Sequence, residues 1–210
     1  MANIATKNLH NFKNQLRGGG ARPNLFECSI PSFPSGITGA GQLWNKAAQK
    51  DFRFLCKAAQ LPASTVAEIP VPFRGRILKV AGDRTFEPWT VTIINDEDFR
   101  IRTAMELWMN MLSKLDNATG ATNPSSYMVD AFVHQLGRGI SKESTGHGGE
   151  ATQYEAPLRS YKFYDIFPTN VGQIDLSYES TDTPEEFTVD FQVQYWTAGE
   201  TGDQTSTIIS

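Results

Sequence analysis

The stretch from Val66 to Asn95, VAEIPVPFRGRILKVAGDRTFEPWTVTIIN, constrains the fold more than any other. Val71, Phe73, Ile77 and Val80, then Trp89, Val91 and Ile93, are β-branched or aromatic residues whose spacing predicts extended strands. Pro70 and Pro72 lack the amide hydrogen a central strand needs, so the first part is predicted to be an edge or a projecting arm. Gly82-Asp83 predicts the turn that folds this ribbon back on itself. An arm with edge character needs a partner. In a chain without an evident catalytic group, that partner is expected to be another protein, and a second copy first of all.

The remaining composition sets the frame for that arm. With 210 residues, 40% hydrophobic and 20% charged, the chain is large enough for one domain with elaborations and its own core. A net charge of −4 argues against gripping nucleic acid through its phosphates, though not against letting it slide past. Cys28 and Cys56 each sit in an apolar, strand-like run and are predicted to be buried free thiols rather than a disulfide. No opening segment reads as a signal peptide and no apolar run reaches membrane-spanning length, which predicts a cytoplasmic protein.

In chain order, Leu9, Phe12 and Leu16 share one side of a predicted short helix over 1–16, followed by the flexible Gly18-Gly19-Gly20 break. Phe26, Cys28 and Ile30 alternate as a strand. The Pro-, Gly- and Ser-rich stretch 31–50 is expected to be a loop insertion outside the core, pinned by Trp44. Phe52, Phe54 and Cys56 then read as a second alternating strand. Asn95 to Asp98 place acidic groups at the start of a helix over 99–115, whose apolar face carries Ile101, Ala104, Met105, Trp108, Met111, Leu112 and Leu115. Residues 127–136 read as a strand and 137–156 as a second, exposed loop insertion. The aromatic-rich 158–167 is a strand, and FPTNVG (167–172) a tight turn. Ile174, Leu176 and Tyr178 are expected to pair as a hairpin with Phe187, Val189, Phe191, Val193 and Tyr195. Residues 197–210 form a small-residue tail expected to lack order.

Little in this sequence supports chemistry. His10, His134 and His147 show no metal-ligand spacing, no nucleophile elbow occurs, and the glycine run at 18–20 lacks the strand and Lys-Ser/Thr of a phosphate cradle. Asp165, Asp175, Glu179 and Asp190 are expected to be solvated face residues. No enzyme activity, cofactor or metal is expected. The basic set Arg74, Arg76, Lys79 and Arg84 either keeps an exposed ribbon soluble or meets acidic groups on a neighbouring subunit; the prolines favour the second.

Four blocks, ARPNLFECSI, FRFLCKAAQLPASTVAEIPVPFRGRILKVAGDRTFEPWTVTIIND, FPTNVGQIDLSYES and EEFTVDFQVQYW, carry a resemblance across most of 21–196. In order and spacing they resemble the tail tube proteins of T-even-type contractile phages, a family similar in fold to the ring protein of type VI secretion. AGDRTF (81–86) and FPTNVG are the most specific blocks. The insertions at 31–50 and 137–156 and the tail after 196 depart from the family pattern. The resemblance implies a mainly antiparallel β-barrel or sandwich with one flanking helix (21–196); the residues themselves add an N-terminal arm or helix (1–20) and a flexible tail (197–210). The resemblance further implies six-membered rings, closed as one larger β-barrel and stacked into a hollow conduit for DNA. The partners it implies are the sheath protein, a baseplate hub or initiator, a tape measure protein inside, a terminator, and DNA in transit, with no membrane. The location it implies is the virion tail, assembled in the host cytoplasm. A hub or tube-capping subunit of the same fold, or a monomeric ligand-binding β-sandwich with Trp44 as platform, are the rival readings.

A magnitude fits the ring. Four strands per subunit give roughly 24 strands which, at ~4.8 Å spacing and ~40° tilt, enclose a barrel about 45–50 Å across, wide enough for a DNA duplex. The polar residues Asp175, Ser177, Glu179, Thr188, Asp190, Gln192 and Gln194 are expected to line that bore, because a lumen without Lys or Arg does not hold phosphates. Phe73, Arg74, Arg76, Ile77, Lys79 and Arg84 are expected to contact the neighbouring subunit or ring.

Overall fold

Why the chain builds mostly strands is visible in one cross-strand register. The computed structural model describes residues 9, 12, 13, 16, 20–37, 40–142, 153–179 and 181–200. Strand β5 (Trp89–Ile94) pairs antiparallel with β8 (Glu186–Gln192), setting Trp89 opposite Phe191, Val91 opposite Val189 and Ile93 opposite Phe187. All six are buried, while Thr90, Thr92, Thr188 and Asp190 take the other side of the same ladder. A strict period of two thus sorts one face into the core and leaves the other polar.

The other strands are β1 (Phe26–Ser29), β2 (Cys56–Ala59), β3 (Ser64–Phe73), β4 (Arg76–Phe86), β6 (Val129–Lys142), β7 (Gln153–Val171) and β9 (Tyr195–Glu200). Seven of these nine strands form a sheet in the order β1-β6-β7-β8-β5-β2, with β9 also paired to β7. Strands β3 and β4 stand apart as a two-stranded ribbon. The chain divides into two compact units, 28–133 with 161–198, and 1–27 with 134–160 and 199–210. In the second of these, Gln135 Nε2 donates to the carbonyls of Arg22 and Leu25, and the Leu25 carbonyl also accepts from the Leu136 amide.

Four helical segments accompany the strands: α1 (Ala40–Leu43), α2 (Lys46–Leu55), α3 (Arg100–Leu112) and α4 (Pro124–Tyr127). Residues 31–50 are therefore not an outlying loop. Ile37, Trp44 and Ala48 are buried, and Trp44 stacks on Phe33 at 5.0 Å and meets Phe52 at 5.7 Å. Phe33 in turn meets Trp108, Trp108 meets Phe191, and Phe191 stacks on Trp89, so the supposed insertion supplies one end of a continuous aromatic core. Such rings bury large apolar areas in tilted and offset contacts. The strand expected at 52–56 is the end of α2. Asn45 caps this helix by accepting from the amides of Ala47 and Ala48, and Ala48, Phe52 and Cys56 recur every four residues on its buried side.

Helix α3 forms where expected but is shorter. Ile101, Ala104, Met105 and Trp108 are buried, whereas Leu115 lies past the helix end and is fully exposed. The acidic run sits ahead of the helix rather than in its first turn; Asp98 reaches Arg100, which also pairs with Asp51 of α2 at 2.9 Å. Trp108 Nε1 donates to the Tyr127 carbonyl, fastening α3 to α4.

Further departures lie in the C-terminal half. Within the range 137–156, positions 137–142 and 153–156 are strand, and 143–152 fall outside the described residues. FPTNVG is not a turn: β7 runs through it to Val171, with Pro168 opposite Phe191. The backbone irregularity comes earlier in β7, at Asp165, whose φ of 52° lies in the left-handed region. Residues 172–177 have no regular structure, so the hairpin of 174–178 with 187–195 does not form, and β8 pairs with β5 and β7 instead. Leu176 and Tyr178 are left fully in solvent. Residues 197–200 of the expected tail belong to β9 (Tyr195–Glu200). Of the predicted N-terminal helix, positions 9, 12 and 13 are helical and the rest is largely outside the described residues.

Candidate assembly interface

The ribbon is the outstanding surface. Strands β3 and β4 continue the line of the β2–β5 pair beyond the sheet, and nearly every residue from Ser64 to Phe86 is exposed. The turn is not at Gly82-Asp83. It falls at Arg74-Gly75, where φ values of 44° and 82° give the two left-handed residues of a tight hairpin. Gly82 instead marks a register shift between Val66 and Glu68, and a Cβ there would stand 3.0 Å from the Ala67 carbonyl oxygen.

The ladder decides which side chains share a side. Ile69 faces Val80, Val71 faces Leu78, and Phe73 faces Arg76, so one side of the ribbon is an apolar strip ending in a cation. The other side carries Pro70, Pro72, Ile77, Lys79 and Glu68. Among the described residues nothing covers the strip: Ile69 is 51% exposed, Leu78 63% and Phe73 68%. An isolated two-stranded ribbon is marginal in water, and contiguous exposed apolar area marks an interaction surface.

The six residues expected to make contacts separate in the structure. Phe73, Arg74, Arg76 and Ile77 gather at the tip, with the Arg74 guanidinium 5.6 Å from the Phe73 ring centre. Lys79 is engaged within the ribbon by Glu68 at 2.8 Å. Arg84 lies toward the root, opposite Val66. Among the described residues Arg74, Arg76 and Arg84 have no ion-pair partner.

The polar residues assigned to a bore also divide. Thr188, Asp190, Gln192 and Gln194 sit along β8 and its end on the side opposite the core, with Thr188 and Gln194 exposed. Asp175, Ser177 and Glu179 are exposed on the irregular segment after β7, off the ladder. The β8 face instead gains residues that sequence reasoning passed over: Thr90 donates to Asp190 at 2.6 Å and Asn170 Nδ2 to its other carboxylate oxygen at 3.0 Å. The signal was available, since pairing 89 with 191 forces 90 opposite 190. Lys57 reaches Glu186 at 2.6 Å at the far end of this face.

Where ribbon meets sheet, Phe86 packs edge-on against Trp196, which packs likewise against Tyr161. The Glu87 amide donates to the Ala63 carbonyl and closes the root. Beside it lies a cleft of about 560 Å³ lined by Leu61, Pro62, Pro88, Glu87, Thr90 and Asp190, among others. Trp44 is 3% exposed and cannot serve as a ligand platform. Cys28 and Cys56 are both buried, and the two are not joined in a disulfide. Among the described residues no three His, Cys, Asp or Glu side chains are grouped to hold a metal, and no helix is long and apolar enough to cross a membrane.

Known proteins share this organisation. The family model described as phage tail tube protein matches residues 21–199. Tail tube protein gp19 of Enterobacteria phage T4 is 34% identical over 176 residues, 84% of this chain and 90% of that one. Among solved structures, the tube-terminating cap of the anti-feeding prophage aligns with a TM-score of 0.53 at 12% identity, over 86% of this chain and 91% of that one. The sheath/tube terminator of an extracellular contractile injection system, PVC, aligns at 0.52 and 10% identity, over 86% and 96%. At such identities the two structures speak for the fold alone. The family match spans both the uncovered ribbon and the core it springs from, and the chain belongs to the phage tail tube protein family.

Proposed function

We propose that this chain is a structural, non-catalytic subunit that closes into six-membered rings, and that the rings stack into the hollow tube of a contractile phage tail. The observation that carries this is the ribbon: a projecting pair of strands with an apolar strip and three arginines that, among the described residues, have neither cover nor ion-pair partner. A surface that would be an aggregation hazard in a monomer becomes a contact when identical copies share it. The polar β8 face, whose strand contains no Lys or Arg, fits a bore through which DNA moves without being held. The tube would assemble in the host cytoplasm and take its place in the virion, with sheath outside, tape measure protein inside, and hub and terminator at the ends. The ribbon, through its tip residues, would reach the neighbouring subunit or ring.

Electron microscopy and sizing chromatography of the purified full-length chain test this. Long hollow rods are expected. Single rings that never extend would move the assignment to a hub or cap, and a monodisperse monomer would overturn it.

A further inference from the structure

The ribbon and the cleft at its root belong to one chain but cannot meet within it. Nine residue steps along β3 separate Phe73↔Arg76 at the tip from Ser64↔Phe86 at the root, a span of about 30 Å. At the tip are an exposed aromatic ring, Phe73, an exposed Ile77 and two unpaired guanidinium groups, Arg74 and Arg76. At the root is a cleft walled by Leu61, Pro62 and Pro88 with two carboxylates, Glu87 and Asp190. Neither carboxylate has a cation among the described residues: Asp190 is held by neutral donors from Thr90 and Asn170, and Glu87 is exposed. Apolar wall matches apolar tip, and each charge missing on one side is present on the other.

We propose that the root cleft is the receptor for the ribbon tip of a second copy, with Arg74 and Arg76 set against Glu87 and Asp190 and Phe73 against the proline-lined wall. This deepens the tube assignment and rests on it. Of the four bore residues along β8 and just past its end, only Asp190 borders the cleft, which places the contact at the edge of that row. A tip-to-root contact joins two different patches, so it is head-to-tail; made from one ring to the next rather than around a ring, it repeats along the axis without closing. It gives stacking its direction and bounds its step. Strand β3 has ten residues, so the translation between copies in contact cannot exceed about 40 Å once an arginine's reach is added to ~33 Å of strand.

A charge swap in the full-length chain tests the pairing. Arg74→Glu, and separately Glu87→Lys, are each expected to abolish long tubes, because a weakening of about tenfold per contact multiplies around a ring. Combining the two, with Arg76 left to meet Asp190, is expected to restore tubes. Both positions are exposed, so each variant should melt with the wild type, which separates assembly from folding. As an independent readout, mixing Arg74→Cys and Glu87→Cys protomers should give a disulfide-linked dimer on oxidation; the native thiols are buried. Tubes from Glu87→Lys as long as the wild type's, no rescue by the combination, or no dimer would each overturn the cleft as receptor while leaving the tube standing. An axial step well above 40 Å would do the same. A wild-type chain that forms no tubes at all would instead remove the function on which the inference rests.

Discussion

Thr90 and Asp190 stand directly opposite one another on the β5–β8 ladder, and the threonine hydroxyl donates to the carboxylate at 2.6 Å. Their neighbours Trp89 and Phe191 point the other way and stack at 5.3 Å. One register therefore fixes the core on one side and a hydrogen-bonded polar surface on the other. Asp190 is the hub of that surface: Asn170 binds its second oxygen and the Thr169 hydroxyl donates to its carbonyl.

Thr90→Val keeps the shape but removes the donor. The half-buried carboxylate then loses a partner, and a destabilisation of about 1–2 kcal/mol is expected in urea unfolding. Thr90→Ser, which keeps the hydroxyl, should recover most of it. Equal stability of Thr90→Val and wild type would mean that solvent already satisfies Asp190.

Trp44 anchors the segment 31–50 from inside. Its Nε1 donates to the Ile30 carbonyl at 2.9 Å, and its ring lies between Phe33 and Phe52. Trp44→Phe leaves the carbonyl unpaired in an apolar setting and should cost about 1–3 kcal/mol. Trp44→Ala, which also opens a cavity, should cost about 3–5 kcal/mol. Thermal or denaturant unfolding of the two variants checks the order.

That segment also shows how far the sequence could be read. Strands β5 and β8 and helix α3 were legible because each buries one clean face, with period two or 3.6. The region 31–56 was not, because Phe52, Phe54 and Cys56 satisfy a period of two while Ala48, Phe52 and Cys56 satisfy a period of four. The arbiter was Asn45, whose capping of Ala47 and Ala48 starts a helix. Pro168 and Gly172 suggested a turn, but each has another reason. Pro168 tolerates a position in β7 where the ladder to β8 shifts register, and Gly172, just past the end of β7, lets the backbone close on Thr188, whose Oγ1 a Cβ there would meet. Of the candidate site, the arm and its cations could be read because prolines and exposed apolar residues advertise an edge. The receptor cleft could not, since it joins residues as distant as Gln60 and Asp190 that only the β5–β8 register brings together.

Lys162 supplies a pH-dependent contribution. Its ammonium bonds Asp130 at 2.9 Å and lies 4.2 Å from the centre of the Tyr164 ring; the bond to Asp130 raises its pKa above the usual lysine value, with burial opposing. A folded-state value above the unfolded one means that the stabilisation is fully present below about pH 10.4 and is lost as pH rises through the raised value. The side chain is 33% exposed, so solvent screening holds the effect of Lys162→Met to about 1 kcal/mol or less at neutral pH. The difference between wild type and variant should shrink as the pH climbs past about 10.5. A gap that is constant across that range would assign the loss to packing over Phe132 and Tyr164 rather than to charge.

The bore can be tested by giving it the charge it lacks. Thr188 and Gln194 are exposed on the polar side of β8 and its end, away from the aromatic core and from the ribbon tip. Thr188→Lys with Gln194→Lys would place two ammonium groups per subunit around every ring if this face lines the lumen. Each neutralised phosphate releases a counterion, so retention of DNA by such tubes should be strong at low salt and fall steeply as salt rises, with a slope of roughly −0.9 per contact. Wild-type tubes should retain little under the same conditions. Co-sedimentation of short linear duplexes with preformed tubes measures this, and electron microscopy verifies that the variant still assembles. Lysines on the outer wall would also bind DNA, but along the outside and accessible to nuclease, whereas duplex held in the lumen should be protected except at the tube ends. Intact variant tubes whose bound DNA is fully digested would therefore place the β8 face outside the channel, and the polar character of Thr90, Thr188 and Asp190 would then need a partner other than passing DNA.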